Sequence, residues 1–395
     1  MRILLATEGI DEAGGVDTYL AAVACGLLSR GHSVAALHHN SAAGSTSVRW
    51  PPLQRFCVDE LGSAKAFAAA EAWRPTVCFS HNMNALAIDA GLVSRWPVVK
   101  MMHGYFGTCV SGQKSFGFPH REPCHRQVGA ACLALYLPRG CGQRRPAVML
   151  RQFAWAREQR TLYPKYSSIV VASQHMRSEF ERNGAPPGSL RVVPLFAPAV
   201  RAESTDSAPG RGETPSVLFL GRMTRLKGGD LLIEAIAQAS RRLCRAVRLT
   251  LGGDGPERER WQALAMRLGI DARFPGWLDE AGRDAAIRRA TLVAVPSVWP
   301  EPFGLTGLEA ASMGVPAVAF DVGGVREWLT HGDNGLLAPG SPPDASALAD
   351  AITRALSDPS TLARLSDGAR RKAAELTLDS HLDRLEPIFR DACKD

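Results

Sequence analysis

The sequence predicts an α/β protein built from two doubly wound parallel-sheet domains, and three observations lead there. At 395 residues the chain is too long for one ordinary domain. Short continuous apolar runs ending in Gly, Ser or Pro recur along it, each followed by 15 to 30 residues of helical period, the pattern of strands covered on both faces. Between two such series lies PAVRAESTDSAPGRGETPS, residues 198–216, which has almost no large apolar side chain to offset its ordering entropy and reads as a connector.

Taken in order, the first series comprises RILLATEG (2–9), HSVAALH (32–38), PTVCFSH (75–81), PVVKMMHG (97–104) and SSIVVAS (167–173). The second comprises VLFLGR (217–222), VRLTLGG (247–253), ARFPGW (272–277), TLVAVPS (291–297) and PAVAFDVGG (316–324). The expected divisions are a first domain over 1–198, a linker over 199–215, a second domain over 216–376 and a last helical segment over 377–395. Ligands of such sheets sit beyond the carboxyl ends of the strands, so chemistry is sought in the residues that close each run.

Hydrophobic residues at 46% and charged residues at 22% exclude long disorder and fibrous classes. No run of 18 apolar residues occurs, and MRILLATEGIDE meets Glu8 before a signal-peptide core forms, so a cytoplasmic protein with mostly reduced thiols is expected. The formal charge of +7 divides unevenly: residues 1–198 hold 21 Lys and Arg against 12 Asp and Glu, and the remainder 25 against 27. A basic first half steers an anionic partner toward itself.

The densest chemical signal is SVWPEPFGLTGLEAASMGVPAVAFDVGGVRE, residues 297–327. Pro302 ends an extended segment and a helix starts after Phe303-Gly304-Leu305, whose free N–H groups suit a phosphate. Glu309, one turn into that helix, can accept two hydrogen bonds from a vicinal diol, and Glu301 in the loop can hold a second diol. Each alone also reads as a solvated charge. In GRMTRLKG, residues 221–228, Arg222 and Lys227 lie just past a strand end and can flank a diphosphate, with Arg225 a third cation; a plain basic loop is the other reading. In the first half, Gly14-Gly15 precedes a helical stretch and lets backbone approach a ligand, and His103 closes the strand VVKMM. GGDGPE fits GxGxxG in neither register, and GxxxxGK[ST] and GxSxG are missing, which removes nicotinamide, ATPase and serine-hydrolase readings. With no Asp-x-Asp to hold a divalent ion, Arg222 and Lys227 must take the place of a metal at a diphosphate.

Together GRMTRLKG, GGDGP, VPSVWPEPFGLTGLEAASMGVPAVAF and VGGVRE resemble, in order and spacing, the retaining glycosyltransferases of family 4 (glycosyltransferase group 1), and Gly14-Gly15 and His103-Gly104 extend the resemblance thinly into the first half. The resemblance implies the GT-B architecture, two Rossmann-like domains facing across a cleft. It implies that Glu309 binds the nucleotide ribose and Glu301 the donor sugar. Arg222 and Lys227, with Phe303, Gly304 and Leu305, would hold the diphosphate. His103 would touch the sugar near the reacting carbon, Gly14-Gly15 would cover it, Gly276 and Trp277 would line the base, and the last helix would cross back to the first domain. His103, Glu301, Arg222 and Lys227 are thereby the expected catalytic residues, and a UDP-, GDP- or ADP-sugar the expected donor, with no further cofactor. A carbohydrate or lipid-linked acceptor, in cell-surface polysaccharide or glycolipid synthesis, completes the expectation. A sugar-nucleotide epimerase and a non-catalytic sugar-nucleotide binder are the alternatives.

An insert of about residues 104–165 departs from the simplest members of that family. It holds Cys109, Cys124, Cys132 and Cys141, open to three readings: ordinary thiols, two disulfides, or a structural metal clip. Next to them Arg139, Arg144, Arg145, Arg151, Arg157, Arg160 and Lys165 accumulate beside Phe153, Trp155 and Tyr163. That composition suits an anionic membrane at the inner face, a phosphorylated acceptor, or a solvated helix, whereas no reader motif for nucleic acid accompanies it.

Overall fold

The computed structural model describes residues 1–10, 15–41, 50–197 and 214–394. Among the described residues thirteen strands form two parallel sheets. The first contains β1 (Arg2–Ile10), β2 (Ser33–Ser41), β3 (Gln54–Cys57), β4 (Val77–Ser80) and β5 (Val98–Met102). After the hairpin β6 (Ser115–Phe116) and β7 (Glu122–Pro123), it is completed by β8 (Ser168–Val171) and β9 (Leu190–Val192). Its order is β3-β2-β1-β4-β5-β8-β9. The second contains β10 (Ser216–Leu220), β11 (Arg248–Gly252), β12 (Ala272–Gly276), β13 (Leu292–Val295), β14 (Ala317–Asp321) and β15 (Gly335–Pro339), in the order β12-β11-β10-β13-β14-β15.

All ten strands expected from sequence are present. The strands β4, β5, β8 and β13 are buried along their whole length, which is why they read as mainly apolar runs; the one charge among them, Lys100 of β5, is buried against Asp89. The strands that sequence reading passed over, β3, β9 and β15, lie at sheet edges, where one side needs no apolar cover and Pro339 removes no ladder bond. In each sheet the strand order reverses beside the first strand of the domain, between β1 and β4 and between β10 and β13. These switch points open a crevice beyond the carboxyl ends of the strands.

The connector expected over 199–215 lies outside the described residues apart from Thr214 and Pro215. On its near side Ala197 N–H donates to the Leu376 carbonyl at 3.0 Å, so the chain leaving the first domain runs beside the chain returning to it. The helix Leu378–Ala392 then packs on the first domain: Leu382, Leu385 and Phe389 are fully buried, the Phe389 ring stands edge-on to Phe79 at 5.0 Å, and Arg30 binds Asp379, Asp383 and Glu386. The insert contains β6–β7 and two helices, Ala130–Tyr136 and Pro146–Leu162, over a small apolar cluster of Val110, Val128, Tyr136 and Met149.

Candidate functional site

The loops after β10 and β13, the two strands at the second switch point, lie against each other. Val298 N–H donates to the Leu226 carbonyl at 2.9 Å. Gly228 has φ +63°, and a Cβ there would stand 1.9 Å from the Pro296 carbonyl oxygen, so only glycine lets the basic loop approach. This places Lys227 against Glu301, Nζ to Oε1 at 2.5 Å. The same oxygen accepts from the Trp299 indole at 3.0 Å and from the Ser297 hydroxyl, and the ammonium stands 5.7 Å from the Trp299 ring centroid. Burial alone pushes the Glu301 carboxyl up, but Lys227, Ser297 and Trp299 outweigh it and hold the group below its ordinary range. Glu301 is therefore ionised, and in the unliganded protein Lys227 is its partner.

The backbone of Glu301 is clamped by the segment after β14. Gly324 N–H donates to the Glu301 carbonyl at 2.6 Å, and Gly323, at φ +58°, would bring a Cβ 2.2 Å from that oxygen. Sequence reading quoted VGGVRE but gave its glycines no role; the positive φ of Gly323 and the close approach of both appear only in three dimensions. Gly304, also left-handed at φ +89°, starts the helix Leu305–Ser312, while Phe303 is buried and its carbonyl accepts from the Trp328 indole at 2.7 Å. Glu309 sits one turn in, buried, with Arg283 as its nearest cation at 3.8 Å. Burial raises its carboxyl above the ordinary value and Arg283 only partly opposes this.

The remaining expected residues are less tightly gathered. Arg222 is exposed and has no carboxylate partner among the described residues, so it is available to an anion. Gly276 closes β12, its carbonyl accepting from Gly253 N–H at 2.7 Å, and Trp277 beyond it is 72% exposed. Gly14 lies outside the described residues; Gly15 is exposed at the start of the helix Gly15–Ser29 with open space around it. His103 follows β5 and pairs with His81, Nε2 to Nδ1 at 2.9 Å. Burial, with the nearby Lys100 charge, lowers its pKa to about 3, so the ring is neutral.

The first domain reaches this site from the other side. Tyr105 hydroxyl lies 3.5 Å from the Glu301 carbonyl and 2.9 Å from His175 Nδ1, and its ring stands edge-on to Trp299. Gln174 N–H donates to Glu327 at 2.7 Å, and Arg121 of the insert binds Asp230 at 2.9 Å. Tyr105, Arg283, Arg121 and His81 were missed by sequence reading because each acts through a partner far away in the chain.

Two features of the insert bear on the readings left open for it. All nine cysteines are free. The four in the insert are half-buried, and burial together with the neighbouring thiols pushes Cys141 up to about 12. Among the described residues they form no set of ligand atoms within 4.8 Å of one another; the group that does is His125, His175 and Glu179. Glu179, however, already faces Lys114 at 2.6 Å and Arg182, which leaves no net negative charge to draw a cation. The aromatics read as interleaved with the arginines face inward: Tyr163 is fully buried, the Trp155 indole donates to the Asn84 carbonyl at 2.8 Å, and Phe153 packs on the small cluster. Arg160 is likewise engaged by the Asn183 and Val128 carbonyls, and Arg139 by Glu122, leaving Arg144, Arg145, Arg151, Arg157 and Lys165 exposed.

Two doubly wound domains that meet across strand-end loops carrying a Lys–Glu pair and a helix start define the GT-B class. The Glycosyltransferase Family 4 model matches residues 13–198 and the Glycosyl transferases group 1 model residues 201–372. The chain belongs to the group 1 glycosyltransferases. Alpha-D-kanosaminyltransferase of Streptomyces kanamyceticus is 29% identical over 249 residues, covering 60% of this chain and 63% of that protein. A D-inositol 3-phosphate glycosyltransferase of Kribbella flavida is 37% identical over 45% of each chain, and one of Acidothermus cellulolyticus is 29% identical over 98% of this chain and 88% of its own. The chain thus spans less than two thirds of the first two relatives. Among solved structures, Anabaena HepE in complex with UDP and glucose aligns over 99% of both chains with TM-score 0.68 at 19% identity. Sucrose-phosphate synthase of Thermosynechococcus elongatus aligns over 98% of both with TM-score 0.71 at 21% identity. No helix among the described residues is long and apolar enough to cross a membrane.

Proposed function

We propose that the protein transfers a sugar from a nucleoside-diphosphate donor to a carbohydrate or lipid-linked acceptor, with retention at the anomeric carbon and without a metal at the diphosphate. The observation that carries this reading is the ionised Glu301 held 2.5 Å from Lys227 beside the helix start at Gly304. A diphosphate entering there draws Lys227 toward itself and frees Glu301 Oε1 for sugar hydroxyls, while Glu309 takes the ribose and Arg222 the outer phosphate. As the anomeric bond breaks, charge grows on phosphate where the cations stand, so their interaction strengthens in the transition state. The acceptor hydroxyl attacks on the same face and its proton passes to the departing phosphate. Closure of the two domains, already in contact through Tyr105, Gln174 and Arg121, excludes water.

The exposed Arg144, Arg145, Arg151 and Arg157, with Leu150 at 54% exposure among them, support an anionic acceptor presented at the inner face of a membrane, in polysaccharide or glycolipid synthesis. Flotation with anionic vesicles at low salt checks that part, and unbound protein counts against it.

A thermal-shift screen against UDP, GDP and ADP tests the site, since a ligand of the folded state alone raises Tm. One of the three is expected to stabilise the protein, and Lys227→Ala to abolish both that shift and, by about a hundredfold or more, sugar transfer. Unchanged Tm with all three, or near-normal transfer in Lys227→Ala, removes the reading. Conversion of the donor without an acceptor would instead identify an epimerase.

A further inference from the structure

We infer that His81 is a positioning residue that locks His103 in the tautomer with its proton on Nδ1. His81 follows β4 and His103 follows β5, neighbouring parallel strands, and His81 Nδ1 lies 2.9 Å from His103 Nε2. Both rings are neutral, because burial lowers each and Lys100 adds to the effect. The bridge therefore contains one proton, given by one ring and accepted by the other.

The surroundings decide which ring gives it. His81 is fully buried and its other nitrogen, Nε2, has no partner among the described residues. If His103 gave the proton, His81 would carry its own on Nε2 as an orphaned buried N–H, an arrangement folded proteins rarely tolerate. If His81 gives it, Nε2 is left only with a bare lone pair. The neighbours offer no third arrangement. His381 Nδ1 donates to the Pro194 carbonyl at 2.7 Å, so its Nε2 accepts from the Tyr19 hydroxyl at 2.8 Å, and Tyr19 presents only its ring to His103, 5.2 Å away. The backbone of His81 is pinned as well: its N–H donates to Ala6 at 2.8 Å, and its carbonyl accepts from Lys100 at 2.6 Å, an ammonium itself held by Asp89.

His103 Nε2 is thus an acceptor, and its proton is on Nδ1, the nitrogen that no described residue bonds and that is not among the buried unpaired atoms. On the function proposed above, His103 then meets the donor sugar as a hydrogen-bond donor to an oxygen and takes no proton from the acceptor. The tautomer itself does not depend on that function.

The test is a long-range 1H–15N correlation spectrum of the full chain labelled in histidine, with His103→Gln to assign its signals. The expected spectrum has pyrrole-type Nδ1 and pyridine-type Nε2 for His103. A pyrrole-type Nε2 in His103 overturns the inference. His81→Leu should return His103 toward the Nε2–H form that histidine prefers in water, whereas His81→Asn, whose amide restores a donor in the Nδ1 position, should keep the Nδ1–H form. A His103 tautomer indifferent to both substitutions also overturns it. If His103 shows the expected tautomer while His103→Gln leaves sugar transfer unchanged, the lock stands and the functional assignment of His103 falls.

Discussion

Glu301 and Glu309 are eight positions apart and held in opposite electrostatic conditions. For Glu301 three donors outweigh burial and lower the carboxyl; for Glu309 burial outweighs a cation 3.8 Å away and raises it. The consequences for stability have opposite signs. Glu301 contributes stability above the ordinary carboxyl range that is lost as pH falls through its depressed value, so Glu301→Gln should lower Tm at pH 7, with the loss fading toward acid. Glu309 is more favourable when protonated, and that contribution is lost as pH rises through its raised value; Glu309→Gln should therefore raise Tm at pH 7, with the gain fading toward acid. The same substitution should abolish nucleotide binding, the usual opposition between a strained site and stability. Thermal unfolding of both variants from pH 4 to 8 checks the signs, and equal trends in the two would contradict the assigned environments.

At the scale of elements, the site is assembled from loops that glycine allows to touch. Gly228 brings the basic loop to the loop after β13, and Gly323 and Gly324 clamp the backbone of Glu301. Gly323→Ala adds a Cβ at a left-handed φ, 2.2 Å from a carbonyl oxygen with no room to move. The expected cost is about 1–3 kcal/mol in stability. A fall in transfer of tenfold or more should accompany it, as Glu301 is displaced. Denaturant unfolding and initial rates measure the two, and a wild-type rate would show that the clamp does not position Glu301. The glycines themselves were legible in VGGVRE and GRMTRLKG. Their roles were not, because the atom each avoids belongs to another loop.

For the whole molecule, the helix Leu378–Ala392 completes the first domain with residues that follow the second in sequence. Phe389 is fully buried against Phe79, Leu382 against the helix containing Gly26, and His381 ties Tyr19 to the Pro194 carbonyl where the two crossings meet. Phe389→Ala should cost about 3–5 kcal/mol by leaving a cavity between helix and sheet. Equilibrium unfolding followed at the first domain reads this directly, and a loss under 1 kcal/mol would mean that the helix is not part of that core.

Sequence by itself determined ten of the strands, nine inside the sheets and β12 at an edge, the order of loops that close them, and the residue types gathered there: Arg222, Lys227, Glu301, Glu309 and His103. Covered strands must be continuously apolar, and a backbone that turns sharply at their ends must use glycine or proline, so both are written locally. Only the tertiary structure decided the partnerships. Lys227 meets Glu301 across 74 residues, Arg121 meets Asp230 across 109, and His81 meets His103 because β4 and β5 are neighbours. It also turned Phe153, Trp155 and Tyr163 inward and gathered the insert thiols closely enough that Cys109, Cys124 and Cys132 raise the Cys141 thiol, though no three of them lie within 4.8 Å of one another. A hydrogen bond or an ion pair depends on distances of a few ångströms between segments remote in the chain, and those distances are set by strand order and packing rather than by any local run of residues.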